Sequence, residues 1–342
     1  MKHVLVTGAA GGVGMATCRL LLERGYGVTA LVAPWDDPDC MRTLTEHGAH
    51  VAKGDIRDPS TIERYFSGKD AVVHAAALLP TGAASLTKRA QYETNVKGSE
   101  NVLRLAHTVE VPRAVFLSTA GVASHYEGKT VLGDEMSPYR KPQNAHIWSK
   151  IESEKILDRI SADLRYPIVI LRPVTIYGAG MTFRWPDVFE MVKKGALKLI
   201  DDGTAPYPLI HVRDLARAVL CAVELSELKK TEKIIISSDA RHTLREITAY
   251  ISRYVGAKEP GQVPYRAALL ASYVLSLIPS FLKPLQLRYL TPPSIREYKY
   301  GHLYRTEKAK QLLRFQAEIP FEAGMREALD EHFRKRLHSQ RS

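Results

Sequence analysis

His3-Val4-Leu5-Val6-Thr7, running straight into Gly8-Ala9-Ala10-Gly11-Gly12-Val13-Gly14, is the stretch that decides the fold. The first five residues are a β-rich apolar run that stops at glycine, as a buried strand does. From Val13 to Arg24 apolar residues recur at helical spacing. A strand, a glycine trio and a helix in that order open a dinucleotide-binding βαβ unit. Gly8 allows the tight turn, Gly11 lets the backbone approach a pyrophosphate, and Gly14 lets the helix pack close to the strand. The helix N-terminus offers its N–H groups to the phosphates. Gly8, Ala10, Gly11, Gly12, Val13 and Gly14 are therefore candidate cofactor contacts. A plain glycine-rich βα turn is the competing reading, and the position of the trio disfavours it.

Outward from this turn, short apolar runs alternate with amphipathic stretches. Strands are expected at Val28–Ala33, His50–Lys53, Ala71–His74, Ala114–Ser118 and Ile168–Leu171. Helices are expected at Pro38–His47, Pro59–Phe66, Leu86–His107 (broken or capped around Gly98) and Ala145–Ile160. This alternation predicts an α/β fold, a doubly wound parallel sheet of Rossmann type, buried on both faces. After Gly178 prolines and loops become frequent. Arg213–Leu225 (helix) and Lys233–Ser237 (strand) are read as rejoining the sheet. The expected division is residues 1–178 with 211–240 as the dinucleotide-binding domain. Residues 179–210 and 241–342 form a smaller, interleaved, mostly helical substrate lobe.

The chain has 342 residues, 45% hydrophobic and 25% charged, close to the globular average, which excludes a disordered or low-complexity protein. Three scattered cysteines, Cys18, Cys40 and Cys221, exclude a disulfide framework and a cysteine-rich zinc site. No metal is expected. They fit a reducing cytoplasm, and the first residues do not read as a signal peptide. The longest uncharged apolar run, Ala267 to Ile278, is about 12 residues against the ~20 a bilayer span needs. The net charge of +11 is spread along the chain. Its densest cluster, Arg334, Lys335, Arg336, His338 and Arg341, reads as a solvated helix end rather than a nucleic-acid arm. A small-molecule substrate is the expected partner, with no nucleic acid and no integral membrane segment.

Further motifs, taken in order, resemble the extended short-chain dehydrogenases/reductases, the NAD-dependent epimerase/dehydratase family. Gly54-Asp55-Ile56-Arg57-Asp58 resembles the element whose first Asp meets the adenine amino group. His74-Ala75-Ala76-Ala77 resembles the one that packs along the cofactor. Asn95, within Thr94–Asn101, matches an Asn that stabilises the central sheet. Leu171-Arg172-Pro173 with Tyr177-Gly178 resembles the segment beside the nicotinamide. His211–Ala216, Thr306–Leu313, Ile319-Pro320-Phe321 and Glu322–Ala328 resemble later family segments. The resemblance implies NAD or NADP as cofactor, held also by Asp55, Ile56, Ala75, Ala76, Ala77, Asn95, Ser118, Lys150 and Pro173. It also implies a homodimer paired through the long helices after the fourth and fifth strands. Ala33 lacks the guanidinium that a 2′-phosphate wants, and Asp36 and Asp37 would repel one. NAD is therefore preferred, with Asp36 as a contact, although these two residues also suit a surface turn.

The family's catalytic set is Ser/Thr, Tyr and Lys, the last two as Y-x-x-x-K on one helical face. Here Ala145-His146-Ile147-Trp148-Ser149-Lys150 keeps the Lys but places His146 at the Tyr position. Thr119 falls in the Ser/Thr place, next to Ser118. Thr119, His146 and Lys150 are the candidate catalytic residues. Tyr139, in a Ser-Pro-Tyr turn, is the alternative phenol.

Thr175 replaces an Asn common in nucleotide-sugar members, and Ala205–Ile210 lacks a phosphate-binding cation. Both absences tilt the reading toward a dehydrogenase of secondary alcohols or ketones on a small, apolar molecule. The run Val263–Leu290 reads either as lobe core, as an apolar substrate cover, or as a peripheral membrane-surface helix. A nucleotide-sugar epimerase or dehydratase with tightly bound NAD is the second hypothesis. A dinucleotide-binding regulator without catalysis is the third.

Overall fold

The computed structural model describes residues 1–79, 87–123, 131–142, 144–278, 287 and 290–339. Its strands are β1 (His3–Thr7), β2 (Gly27–Val32), β3 (His50–Lys53), β4 (Ala71–His74), β5 (Arg113–Leu117), β6 (Val131–Gly133), β7 (Val169–Pro173), β8 (Thr175–Tyr177), β9 (Lys198–Ile200), β10 (Leu209–His211), β11 (Glu232–Ile236), β12 (Gly261–Val263) and β13 (His302–Tyr304). Its helices are α1 (Gly12–Glu23), α2 (Pro38–Glu46), α3 (Lys88–Gln91), α4 (Gly98–Thr108), α5 (Ala145–Asp163), α6 (Trp185–Lys193), α7 (Val212–Val223), α8 (Leu244–Val255), α9 (Tyr265–Ser276), α10 (Pro292–Tyr300), α11 (Glu307–Leu313) and α12 (Phe321–Ser339).

Seven strands form one parallel sheet in the order β11-β7-β5-β4-β1-β2-β3. The apolar runs sit there because both faces are covered. Val4, Val6, Val73 and Val115 join one core, and Leu5, Val72, Phe116 and Ile170 the other. The strand order reverses beside β1, between β2 and β4. In open α/β sheets this switch point opens a crevice at the strands' C-terminal ends. Gly8 sits there, at φ 68°. A Cβ on it would lie 2.5 Å from the Ala76 backbone, so only glycine lets the turn after β1 pass the chain leaving β4. A third core, with Tyr177, Trp185, Phe189, Leu209, Ile251 and Met325, gathers β8, β10, α6, α8 and α12.

Two helix expectations are corrected. Pro59–Phe66 is helical, but as two short 3₁₀ turns, Pro59–Thr61 and Glu63–Tyr65, rather than one helix, the first capped by the Asp58 carboxylate on Ser60 N–H. Leu86–His107 is not one α-helix. Leu86 lies outside the described residues, and a π-turn over Tyr92–Lys97 joins α3 to α4. The change of helix type falls at Gly98, which follows the π-turn and opens α4, as the expected interruption there required. A Cβ there would come within 2.6 Å of Ile56 Cδ1, so glycine serves close packing.

The core reading of Val263–Leu290 also fails for the residues described. In α9 only Ser272 is buried, while Leu270, Val274 and, just beyond, Leu277 are exposed. Residues 279–286, 288 and 289, with Lys283 and Arg288, lie outside the described residues, as do Arg341 and the side chains of Lys335, Arg336 and His338. No helix among the described residues is long and apolar enough to cross a membrane.

Behind the crevice a buried polar chain ties these elements together. Ala76 N–H donates to Thr7 Oγ1 (3.3 Å), which pairs with His74 Nδ1 (2.8 Å). His74 Nε2 pairs with Ser99 Oγ (3.0 Å), whose proton goes to the Asn95 carbonyl (2.6 Å). With that proton committed, Nε2 carries the imidazole hydrogen and Nδ1 accepts from Thr7. Burial, helped by the charge of Lys150, lowers the His74 pKa to about 3, so the ring is neutral. The unfolded chain then binds more protons than the folded one between the ordinary value near ~6.5 and about 3. The His74 contribution is complete above the upper limit and is lost as pH falls. Thermal denaturation from pH 7 to 4.5 should show falling stability, with a shallower slope in His74→Gln. An equal slope in the variant would remove His74 as a source.

Candidate active site

The crevice opens into a cleft of about 1130 Å³. Gly8, Gly11, Gly12, Val13 and Gly14 line its first part, with Ala75, Ala76 and Ala77 from the chain after β4. Gly11 is the N-cap of α1 and carries no side-chain cap, and the first turn holds no acidic residue. The helix start is thus open to an anion. A Cβ on Gly12 would lie 2.0 Å from Met181 Cε and 2.6 Å from Gly180 O. One on Gly14 would lie 2.1 Å from Gly8 O. Asp36, Asp55, Ile56, Ser118 and Pro173 line the same cleft.

Two expected contacts do not reach it. Ala10 is not in the lining. Asn95 is buried beneath it. Its Oδ1 accepts from Leu78 N–H (2.7 Å), and its Nδ2 donates to Gln91 Oε1 (2.6 Å) and Ser149 Oγ (3.0 Å). Asn95 therefore holds the cleft wall at Leu78 and the helix below.

Beside β2, Asp36 Oδ2 accepts from Ala33 N–H (2.7 Å), so the carboxylate closes the turn after β2, and Asp36 is one of the residues lining the cleft. Asp55 pairs with Arg57 (2.6 Å), whose guanidinium lies 5.0 Å from the Trp35 ring centre. Burial pushes the Asp55 pKa up, but the hydrogen bonds from Arg57 outweigh it and hold the carboxyl below its usual range. Trp35 and Arg57 were not singled out from the sequence. Apart from lying beside Asp36 and Asp55, they give no signal, because their stacking joins two separate loops.

α5 starts at Asn144, whose side chain caps Ile147 N–H (2.9 Å). Spacing of four puts His146, Lys150, Glu154 and Asp158 on one face. His146, Lys150 and Thr119 line the cleft together. Lys150 Nζ donates to Leu117 O (2.9 Å), at the end of β5. Burial lowers its pKa to about 8, with Glu154 opposing. His146 is lowered to about 4 by burial first, then by Lys150, while a backbone hydrogen bond at Leu78 opposes. Its Nδ1 is buried with no hydrogen-bond partner among the described residues. Thr119 Oγ1 accepts from Gly121 N–H (3.2 Å).

Tyr139 does not enter the cleft. Its hydroxyl donates to Glu154 (3.0 Å) and accepts from Lys233 Nζ (3.0 Å). Burial and the adjoining carboxylates Glu154 and Asp158 raise its pKa. Arg172 is likewise not beside the cleft but under it, paired with Glu154 at 2.6 Å.

A model of the NAD dependent epimerase/dehydratase family matches residues 4–236. The chain therefore belongs to that family, which makes it an NAD-dependent reductase or epimerase of the extended short-chain type. The chain is 28% identical over 336 residues to a 2-alkyl-3-oxoalkanoate reductase of Stenotrophomonas maltophilia, covering 94% of this chain and 97% of that one. It is 29% identical over 322 residues to a UDP-glucose 4-epimerase of Neisseria meningitidis, covering 83% and 91%. Its fold matches the crystal structure of gox2253 with a TM-score of 0.80, at 22% identity over 98% of this chain and 99% of that one.

The glycine cradle and uncapped helix start fit a dinucleotide pyrophosphate, and NAD is the cofactor. Gly14→Val should weaken NADH binding at least about tenfold, ~1.4 kcal/mol, in a titration of NADH fluorescence. Circular dichroism should still show a folded chain, and unchanged affinity would sink the glycine assignment. NADH should also bind about tenfold more tightly than NADPH, because Asp36 brings a negative charge to the cleft lining after β2, where a 2′-phosphate would be repelled. Tighter NADPH binding would overturn the role of Asp36.

Proposed function

We propose that this protein moves hydride between NAD and a secondary alcohol or ketone carbon of a small, largely apolar molecule. The observation that carries the reading is the meeting of Thr119, His146 and Lys150 in one cleft with apolar walls. Those walls include Leu78, Leu79, Ile147, Val174, Ile176 and Phe183. We further propose that residues 179–210 and 241–342 supply the substrate lobe, and residues 1–178 with 211–240 the cofactor domain.

When bound, NAD supplies or accepts the hydride. The Thr119 hydroxyl orients the substrate oxygen. Lys150 as ammonium holds the nicotinamide ribose and disfavours imidazolium at His146. His146 stands in the place that the family resemblance gives to a Tyr and exchanges the proton of the substrate hydroxyl. With a pKa near 4 it is unprotonated at pH 7, available as a base though a weak one, and almost none of it is in the acid form. This suits alcohol oxidation better than protonation of a nascent alkoxide. A 3-oxo acid reductase among the relatives supports carbonyl-to-carbinol chemistry. The epimerase reading keeps support from the UDP-glucose 4-epimerase relative, and NAD retained through purification would favour it.

For alcohol oxidation, kcat/KM should fall below pH about 4 as His146 gains a proton. It should fall again above pH about 8 as Lys150 loses one. His146→Ala should lower the rate by about 10²–10⁴-fold and remove the acidic limb, and His146→Tyr should move that limb upward. A near wild-type rate with the same profile in His146→Ala would show that the residue is not catalytic.

A further inference from the structure

Helix α9 contributes no residue to the cleft lining, yet it concentrates apolar surface. Among the described residues twelve large hydrophobic side chains are exposed, and five of them fall within residues 270–278: Leu270, Tyr273, Val274, Leu277 and Ile278. Such clustering marks a contact surface, whereas single exposed hydrophobics need no explanation. Leu277 is 83% exposed and Leu270 67%.

Helical spacing gathers these side chains into a stripe. Ala267, Leu270, Ala271, Val274, Leu277 and Ile278 recur at intervals of three and four and share one face. Ser272, the buried residue of α9, lies on the opposite face. Arg266 and Tyr273 run along one edge of the stripe. Arg296 of α10 donates from Nη2 to the Tyr273 hydroxyl (2.8 Å), so a second guanidinium stands at that edge. Between Glu259 and Glu297 the sequence carries Arg266, Lys283, Arg288 and Arg296 and no acidic residue. An uncharged apolar stripe edged by cations and a tyrosine suits a helix lying in a bilayer interface, where long basic side chains reach the headgroups.

The charge also selects the occupant. A second copy of this chain seated on the same stripe about a twofold axis would set like cations against each other, with no acid in the segment to compensate. An anionic lipid surface attracts both guanidinium groups and accepts the apolar side chains.

We propose that α9 docks this protein on an anionic phospholipid bilayer, lying along the interface with Leu270, Val274 and Leu277 below the headgroups and Arg266 and Arg296 at the phosphates. The contact is peripheral, since no helix among the described residues is long and apolar enough to cross a membrane. α10 packs against α9 and brings Thr291, Ser294 and Glu297 to the cleft lining. The docked face therefore lies one helix away from the cleft. On the oxidoreductase reading above, an apolar substrate held in the bilayer is delivered beside it.

The test is co-sedimentation of the full-length protein with sucrose-loaded vesicles, either of phosphatidylcholine alone or of equal parts phosphatidylcholine and phosphatidylglycerol. Wild type should sediment with the mixed vesicles at about 0.1 M salt, less as salt is raised, and little with phosphatidylcholine alone. The double variant Leu270→Gln/Leu277→Gln should partition at least about tenfold less, and Arg266→Gln about fivefold less. Both leucines are exposed and outside the cleft, so the double variant should keep the wild-type Tm and NADH affinity. Leu277→Trp should show a blue shift in its emission when mixed vesicles are added. Vesicle binding without any alcohol oxidation would sustain this inference and overturn the proposed reaction. Wild type left in the supernatant with mixed vesicles would overturn the inference and leave the reaction standing. A double variant that sediments as wild type does would move the binding to another basic region and overturn it too. A wild-type dimer that the double variant turns into a monomer in sedimentation velocity would seat a second copy on the stripe, which also overturns it.

Discussion

The buried ion pair between Glu154 and Arg172 is the constraint on which the site depends. Both side chains are almost wholly excluded from solvent, at 1% and 2% exposure. Removing two charges from water is expensive, and the pair is tolerated because nearly every oxygen and nitrogen is engaged. Arg172 reaches Glu154 through Nε and Nη2 and the Glu135 carbonyl through Nη1. Ser118 and Tyr139 hydroxyls donate to the same carboxylate. Lys233 approaches Glu154 at 3.8 Å and pairs with Asp158 at 2.5 Å. The cluster pins α5 to β7 and β11 one turn below Lys150. Breaking it would leave an unpaired buried charge, a loss of about 3–5 kcal/mol.

This anchor also sets the electrostatics above it. Glu154 opposes the effect of burial on Lys150, so the ammonium persists near neutral pH. Lys150 in turn presses down on the imidazoles of His74 and His146. The face of α5 therefore runs from a neutral base through a cation to a paired carboxylate. The two hydroxyls after β5 divide between these levels. Ser118 turns down to the carboxylate, and Thr119 stays in the cleft.

The π-turn supplies the second tie. Asn95 lies within it, and its carbonyl accepts hydroxyl protons from Ser99 (2.6 Å) and Ser153 (2.7 Å). Its side chain spans from the Leu78 backbone to Ser149. One residue therefore joins the wall of the cleft, the helix that carries His146 and Lys150, and the polar chain back to Thr7. π-turns recur where a helix must place a side chain that regular geometry would misdirect.

The sheet strands were legible because each is a run of buried apolar residues, and burial on both faces of a parallel sheet demands that pattern. The glycine turn was legible because backbone contact between β1 and β4 excludes any Cβ at Gly8. Thr119, His146 and Lys150 were singled out by the family resemblance, and spacing of four along α5 accounts for the last two sharing a face. What local pattern could not disclose lies in contacts across the chain. Asn95 reads as a sheet or cofactor residue until Leu78, Gln91 and Ser149 converge on it. Arg172 reads as a cleft residue until Glu154, 18 positions earlier, is seen to bury it. Tyr139 remains an alternative phenol until Lys233, 94 positions on, fixes its hydroxyl. Arg57 and Trp35 have no periodicity or motif to announce their meeting. Tertiary structure alone brings these residues together, because hydrogen bonds and charges act over a few ångströms of space whatever the separation along the chain.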